Sequence, residues 1–294
     1  MTAARFPTWL IPLVLAGLLL NAACTPFGIP ALYHPPDGRF EDKEIIESSG
    51  IVKSRRLPGI FWTHNDSGNP SRIYAVDQKG GRIGRVELIG ATNVDWEDIA
   101  IDDAGFLYLC DIGNNRNRRK NFTIYQIPEV DPRQVHRITV SARFTFQYPG
   151  FRSPDAESCF FHQGNLYLLT KEPTNGRTAL YRLNITDVSP SKELTFIGET
   201  DVDNSVTGAD LSPDGARLAV LTYSSVYLFF KPEQGDNYLL GPSCHMPLLF
   251  GQAEGIAWDG DDLIVTNEEG QLLRLQKMAR PAPRFPPACS QNRP

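Results

Sequence analysis

An acidic residue returns at the same point in four of the five copies of a repeated segment, and this recurrence restricts the fold more than any other feature of the chain. The copies are Glu47-Ser48-Ser49-Gly50-Ile51, Glu97-Asp98-Ile99-Ala100-Ile101, Glu157-Ser158-Cys159-Phe160-Phe161, Thr207-Gly208-Ala209-Asp210-Leu211 and Glu254-Gly255-Ile256-Ala257-Trp258. Each is followed by a Gly/Asp/Pro turn and a second apolar run, and then by a third run carrying Tyr74, Tyr125, Tyr181, Tyr227 or Leu273. A period of roughly 45–60 residues with several short strands per unit is the mark of a β-propeller. The chain is therefore predicted to be all-β, a five-bladed propeller of four-stranded antiparallel blades.

The second copy shows how a blade is read. Ile99-Ala100-Ile101 is a short strand, Asp102-Asp103-Ala104-Gly105 a turn, Phe106 to Cys110 a second strand and Phe122 to Ile127 a third. His136 to Tyr148 supplies a fourth, and Glu193–Gly198 does so in the third copy. The turns use Gly for positive φ, Pro to preset φ and Asp to bond nearby amides. The intervening Tyr, Phe, Ile, Val and Leu suit a pleated, half-buried surface. The fifth copy has three strands before a Pro-rich tail. The segment Arg39–Ile46 is predicted to supply its fourth, pairing with Leu263–Leu275 and closing the ring so that no edge stays open. A six-bladed ring is the alternative.

The ends divide the chain further. Residues 1–23 have the layout of a secretory signal: Arg5, an apolar run from Trp9 to Leu20, then Ala22 and Ala23. Cys24 directly afterwards suggests a lipobox, with Cys24 acylated as a membrane anchor; ordinary cleavage and secretion is the alternative. Residues 24–38 form a Pro-rich tether, 39–278 the propeller, and 279–294 a Pro-rich tail. A net charge of −5 without a long basic run argues against nucleic-acid binding. Export permits disulfides. Besides Cys24 the cysteines are Cys110, Cys159, Cys244 and Cys289. Three pairings are open. Cys244 with Cys289 is favoured because it would fasten the tail, leaving Cys110 and Cys159 as small buried core residues.

A propeller gathers equivalent positions around one axis, so Glu47, Glu97, Glu157 and Glu254 are predicted to converge at one mouth. The second strands end beside them at Asp66, Asp111, Lys171, Tyr223 and Asn267, with His64, Asn65 and Glu268 as flanking groups. Crowded carboxylates need protons or a cation. A set of oxygen ligands without a His or Cys cluster suits Ca²⁺. The alternative is that the glutamates accept backbone hydrogen bonds at blade joints. Arg116 and Arg118 follow Asp111 and could hold an anionic group, as could His64, Asn65, Lys171 and Asn267. No nucleophile elbow or phosphate loop is present.

The segments Ala253-Glu254-Gly255-Ile256-Ala257-Trp258-Asp259 and Gly208-Ala209-Asp210-Leu211-Ser212-Pro213-Asp214-Gly215 resemble stretches of secreted bacterial propellers of the phytase-like, NHL-type and gluconolactonase/regucalcin-like groups. In the lactonases the equivalent of Glu254 binds the metal. The ring of Glu47, Ser48, Glu97, Glu157, Ser158 and Glu254 is similar to that of the calcium-activated nucleotidases. These resemblances imply a central Ca²⁺. Two functions follow as expectations. One is a binding or scaffold module at the cell envelope, contacting an envelope protein or a small anionic ligand. The other is a calcium-dependent hydrolase of a phosphoester or lactone, with Asp66 or Asp111 as base.

Overall fold

The computed structural model describes residues 35–151, 153–171, 176–187 and 192–278. The signal segment, Cys24, the tail and Cys289 lie outside them. The described residues form five sheets arranged as a five-bladed β-propeller.

In chain order the innermost strands are Ser48–Lys53, Trp96–Ile101, Ala156–His162, Val206–Leu211 and Ala253–Asp259. Each turns back into a second strand: Phe61–Asn65, Phe106–Asp111, Asn165–Thr170, Arg217–Thr222 and Asp262–Asn267. Third strands follow at Arg72–Val76, Phe122–Pro128, Arg177–Asn184, Ser225–Phe230 and Gln271–Leu275. Trp96–Ile101 and Val206–Leu211 are buried at every position, because blades cover both of their faces. The outer strand Ala142–Gln147 alternates and is largely exposed at the rim.

Apolar side chains collect between blades rather than in one central core. Five buried clusters fill the five joints of the ring. The joint between the last blade and the first holds Phe40, Ile51, Phe61 and Val76 against Ala257, Ile264 and Leu272. Burying such side chains contributes roughly 25 cal/mol per Å², so every joint, including the closing one, gains from a full ring.

Closure uses less of the N-terminal segment than the sequence suggests. Gly38–Arg39 pairs antiparallel with the third strand of blade 5, in the register Gly38↔Leu272 and Arg39↔Gln271. Beyond Arg39 the chain leaves the sheet. Arg39 N and Glu41 N donate to the carbonyls of Lys79 and Gly80 in a turn of blade 1. Phe40 and Ile45 enter the closing joint. Residues 40–46 thus close the ring by single backbone hydrogen bonds from Phe40 and Glu41 and by the packing of Phe40 and Ile45, not by strand pairing.

The fourth strands also differ from expectation. The run from His136 to Tyr148 is split. Arg137–Thr139 pairs in parallel with Arg82–Ile89 of blade 1, and only Ala142–Gln147 completes blade 2. Lys192–Glu193 likewise lies parallel on blade 2 before Thr195–Asp201 completes blade 3. Each short strand covers the outer edge of the preceding blade, where unpaired amides would otherwise face water.

Cys110 and Cys159 are buried as expected, but they form a disulfide between the second strand of blade 2 and the innermost strand of blade 3. The expectation of two unbonded core cysteines is corrected. Cysteines distant in sequence meet because adjacent blades stack these strands across one joint. The favoured Cys244–Cys289 pair falls outside the described residues at Cys289.

Candidate functional site

The repeated acidic residue lies at a β-bulge. In blade 2 the pairing passes from Trp96↔Asp111 to Asp98↔Cys110, leaving Glu97 out of register. The same break leaves out Glu157, Thr207 and Glu254 in blades 3, 4 and 5. A bulge bends its strand and re-aims the unpaired side chain. Glu97, Glu157 and Glu254 line one cavity of ≈ 100 Å³ at the mouth where the innermost strands begin. Thr207 instead donates to the carbonyl of Ala253 at 2.7 Å.

Blade 1 obeys the same rule with a different residue. Its pairing goes from Ser48↔Asn65 to Ile51↔Thr63, so Ser49 is the counterpart of Glu97. Ser49 Oγ donates to the carbonyl of Glu97 at 2.7 Å. Glu47 also lines the mouth, but from two residues earlier, the position held by Asp95 and Asp155 in blades 2 and 3. Asp95 and Asp155 are absent from the sequence-based site, yet the signal was present. Asp95-Trp96-Glu97 and Asp155-Ala156-Glu157 share an acid-x-Glu spacing, and Gln252-Ala253-Glu254 varies it.

The exits of the second strands show a similar one-residue distinction. Asp66, Lys171, Tyr223 and Glu268 line the mouth. Asp111 and Asn267 occupy the position before, still paired in their sheets, and are absent from the lining. Asp111 is 1% exposed, bound to Arg119 at 2.8 Å, and accepts from Asp95 N at 3.1 Å. Asn267 donates to Phe250 O and accepts from Gln271 N. His64 is buried edge-on to Trp96, with Nδ1 3.0 Å from the Asn65 carbonyl. Asn65 ties down the entering loop, accepting from Ile46 N and Glu47 N and donating to Glu44 O. Arg116 and Arg118 are exposed. The cation that organises their loop is Arg119, which also donates to Gly113 O at 2.7 Å. Asn115 is the loop residue that reaches the mouth lining.

The acidic groups concentrate on one side of the mouth. Asp66, Asp95 and Glu97 bring carboxylate oxygens within 4.8 Å of one another, and so do Glu97, Asp155 and Glu157. Glu97 belongs to both groups and bridges blades 1, 2 and 3. Its Oε1 is buried and receives no hydrogen bond among the described residues. The closeness of the Glu97 and Glu157 carboxyl groups, within 4.8 Å, is crowding that a proton or a cation between them relieves. Gly113 makes room for this arrangement. A Cβ there would lie 2.0 Å from Glu97 Oε1 and 2.6 Å from the Asp95 carboxylate.

Titration reflects the crowding. Burial, then the neighbouring carboxylates Glu157, Asp66 and Asp95, push Glu97 well above the ordinary range. Burial raises Glu157 to about 7 although Lys171, at 2.8 Å, opposes it. Burial and the charges of Glu157 and Glu268 raise Glu254 to about 8. Burial raises Asp95 to about 6, with Asp66 adding to the effect. Burial works to lower Lys171, but the Glu157 carboxylate overcomes it and holds the ammonium charged. The mouth is therefore a trough of oxygen donors with one built-in cation. Its donor chemistry fits a hard divalent ion such as Ca²⁺.

The sequence matches no protein-family model and no curated protein. The fold is similar to chains in solved structures. One, in "Crystal structure of Nidogen/Laminin Complex", shares 11% identity at a TM-score of 0.44, covering 78% of this chain and 76% of that one. A second, "Structure of U3-55K", shares 11% identity at a TM-score of 0.41, with 80% of this chain and 62% of that one covered. A third, from "Crystal Structure of Mitotic Checkpoint Complex", gives 11% identity and a TM-score of 0.39, with 77% and 60% covered. The match thus spans less than two thirds of the latter two chains.

Proposed function

We propose that this propeller is an exported, lipid-anchored binding module of the cell envelope whose acidic mouth holds one Ca²⁺-type cation. The observation that carries this reading is Glu97 Oε1, a buried carboxylate oxygen without a donor, set among Asp66, Asp95, Asp155 and Glu157. An orphaned buried acceptor costs about 1–3 kcal/mol, more when charged, and a cation bound there removes that cost. The ligand set is the side of the mouth formed by blades 1 to 3, with Glu47 and Glu254 at its margin, not a symmetric ring of four glutamates. The Cys110–Cys159 disulfide supports an oxidising compartment, which agrees with export and acylation of Cys24. The hydrolase alternative retains Asp66 as a base at the mouth. Asp111 is held by Arg119, and no further observation favours catalysis.

Thermal unfolding tests the cation. A cation that binds only the folded ring stabilises it by about 2.7 kcal/mol at a hundredfold excess over its Kd. Ca²⁺ added after chelation should raise Tm by roughly 5–10 °C. Glu97→Gln should abolish most of the rise, whereas Glu233→Gln on the surface should leave it intact. A melting temperature indifferent to both chelator and Ca²⁺, in protein that carries no metal, overturns the reading.

A further inference from the structure

The ring has a second mouth, where the innermost strands end. A cavity of ≈ 360 Å³ opens there among the turns that follow the innermost strands of blades 2, 3 and 4, with Arg55 entering from blade 1. That volume falls within the range of small-molecule sites. The charged groups around it are mostly satisfied by the protein itself. Lys53 pairs with Asp259 at 2.5 Å. Asp214 accepts from Ser212 Oγ at 2.5 Å and from Ala216 N at 3.0 Å, and it pairs with Arg217 at 3.3 Å.

Arg55 is the exception. Its Nε is buried without an acceptor. Neighbouring Arg56, by contrast, donates from its guanidinium Nη1 to the Glu129 carbonyl at 3.5 Å. Asp210, buried on the innermost strand of blade 4, is a compensating charge. It feels Arg55 only through space, and its Oδ2 is occupied by Trp258 N at 2.8 Å. A guanidinium is a planar fork that matches a carboxylate through two parallel hydrogen bonds. Leaving a charged donor of this kind unsatisfied beside a cavity is costly unless something enters the cavity to accept from it. The rest of the wall says what that is. The wall is mostly polar, with His162, Gln163 and Ser212 beside a smaller apolar patch of Ile101, Phe161 and Leu211, and Asp103 sets a negative charge on the lining that repels multiply charged anions.

We infer that the second mouth binds a small monocarboxylate, its carboxylate held by the Arg55 guanidinium. This site is separate from the acidic mouth and does not depend on a cation there.

Full-length protein labelled with ¹⁵N is titrated with sodium butyrate, with inorganic phosphate, and with NaCl at matched ionic strength, following arginine Nε–H resonances. Butyrate should move one resonance to saturation, and that resonance should be missing from Arg55→Gln. Phosphate should require at least fivefold higher concentration. Arg55→Gln should weaken butyrate at least tenfold, while Glu97→Gln should bind it as the wild type does. Arg55→Lys keeps the charge without the fork and serves if Arg55→Gln does not fold; it too should weaken butyrate severalfold. The inference is overturned if both Arg55 variants bind like the wild type, if NaCl reproduces the butyrate response, or if phosphate saturates and butyrate does not.

Discussion

Raising the pH of the cation-free protein should destabilise it, and Glu254 sets the scale. Its carboxyl is pushed from the ordinary 4.5 to about 8 by burial and by Glu157 and Glu268. Glu157 moves in the same direction, to about 7. An acid whose folded value lies above its unfolded one stabilises the fold fully below the unfolded value. That contribution is lost as the pH climbs through the folded value. The loss therefore runs from about pH 4.5 to 8. One pKa unit corresponds to about 1.4 kcal/mol. The mouth is open to solvent, which screens part of the charge, and Glu254 alone then contributes roughly 2–4 kcal/mol. At this chain length that is roughly 5–15 °C in Tm.

The assay is thermal unfolding in chelator at constant ionic strength. His64 complicates the acid side, because burial lowers it from 6.5 to about 4. A base depressed in this way loses stability as the pH falls below 6.5, opposite in sign to the glutamates. The diagnostic window is therefore pH 6.5 to 8.5. There Tm should fall in the wild type, Glu254→Gln should flatten the fall, and saturating Ca²⁺ should flatten it by replacing protons with a cation. A wild-type Tm that rises across this window, or a Glu254→Gln slope equal to the wild type's, would refute the charge-crowding argument.

Two further outcomes are expected. The Cys110–Cys159 bond closes a loop of 49 residues, which by the chain-entropy relation stabilises the ring by about 4 kcal/mol; the Cys110→Ala/Cys159→Ala protein should melt well below the oxidised wild type, and equal melting temperatures would deny the bond a structural role. Cys24→Ala should leave the protein folded but move it from the membrane to the soluble fraction, and an unchanged distribution would count against acylation.

The repeat was legible because turn chemistry and strand composition are local. Asp102 to Gly105 and Ser212 to Gly215 announce hairpins without reference to the rest of the chain, and the blades follow from their spacing. Register was less legible. It depends on which residue a bulge leaves out, and a one-residue slip sends a side chain to the other face. Glu47 and Glu97 look alike in sequence, yet the bulge makes Ser49 the partner of Glu97 and sets Glu47 beside Asp95 and Asp155. Asp111 and Asp66 look alike in Asp-x-Gly-Asn, yet only Asp66 reaches the mouth. The disulfide and the two parallel edge strands depend on contacts between blades, which no single repeat contains.

These register differences turn a five-fold ring into a directional site. Where blades 2 and 3 place Asp95, Glu97, Asp155 and Glu157, blade 4 places Ser205 and Thr207, and blade 5 keeps only Glu254 of the pair. Lys171 stands between the two halves, bonded to Glu157 and 5.9 Å from the centre of the Tyr223 ring. Negative charge is therefore lowest at blade 4 instead of uniform around the axis, since blade 5 still sets Glu254 and Glu268 on the lining. A cation in the trough of blades 1 to 3 would lie off the axis, with its less crowded side toward Lys171 and Tyr223. An oxyanion approaching from solvent would meet the cation and the ammonium together on that side, while the carboxylates repel it from the other. The blade repeat builds the ring, and the departures from repeat decide where a ligand could enter it.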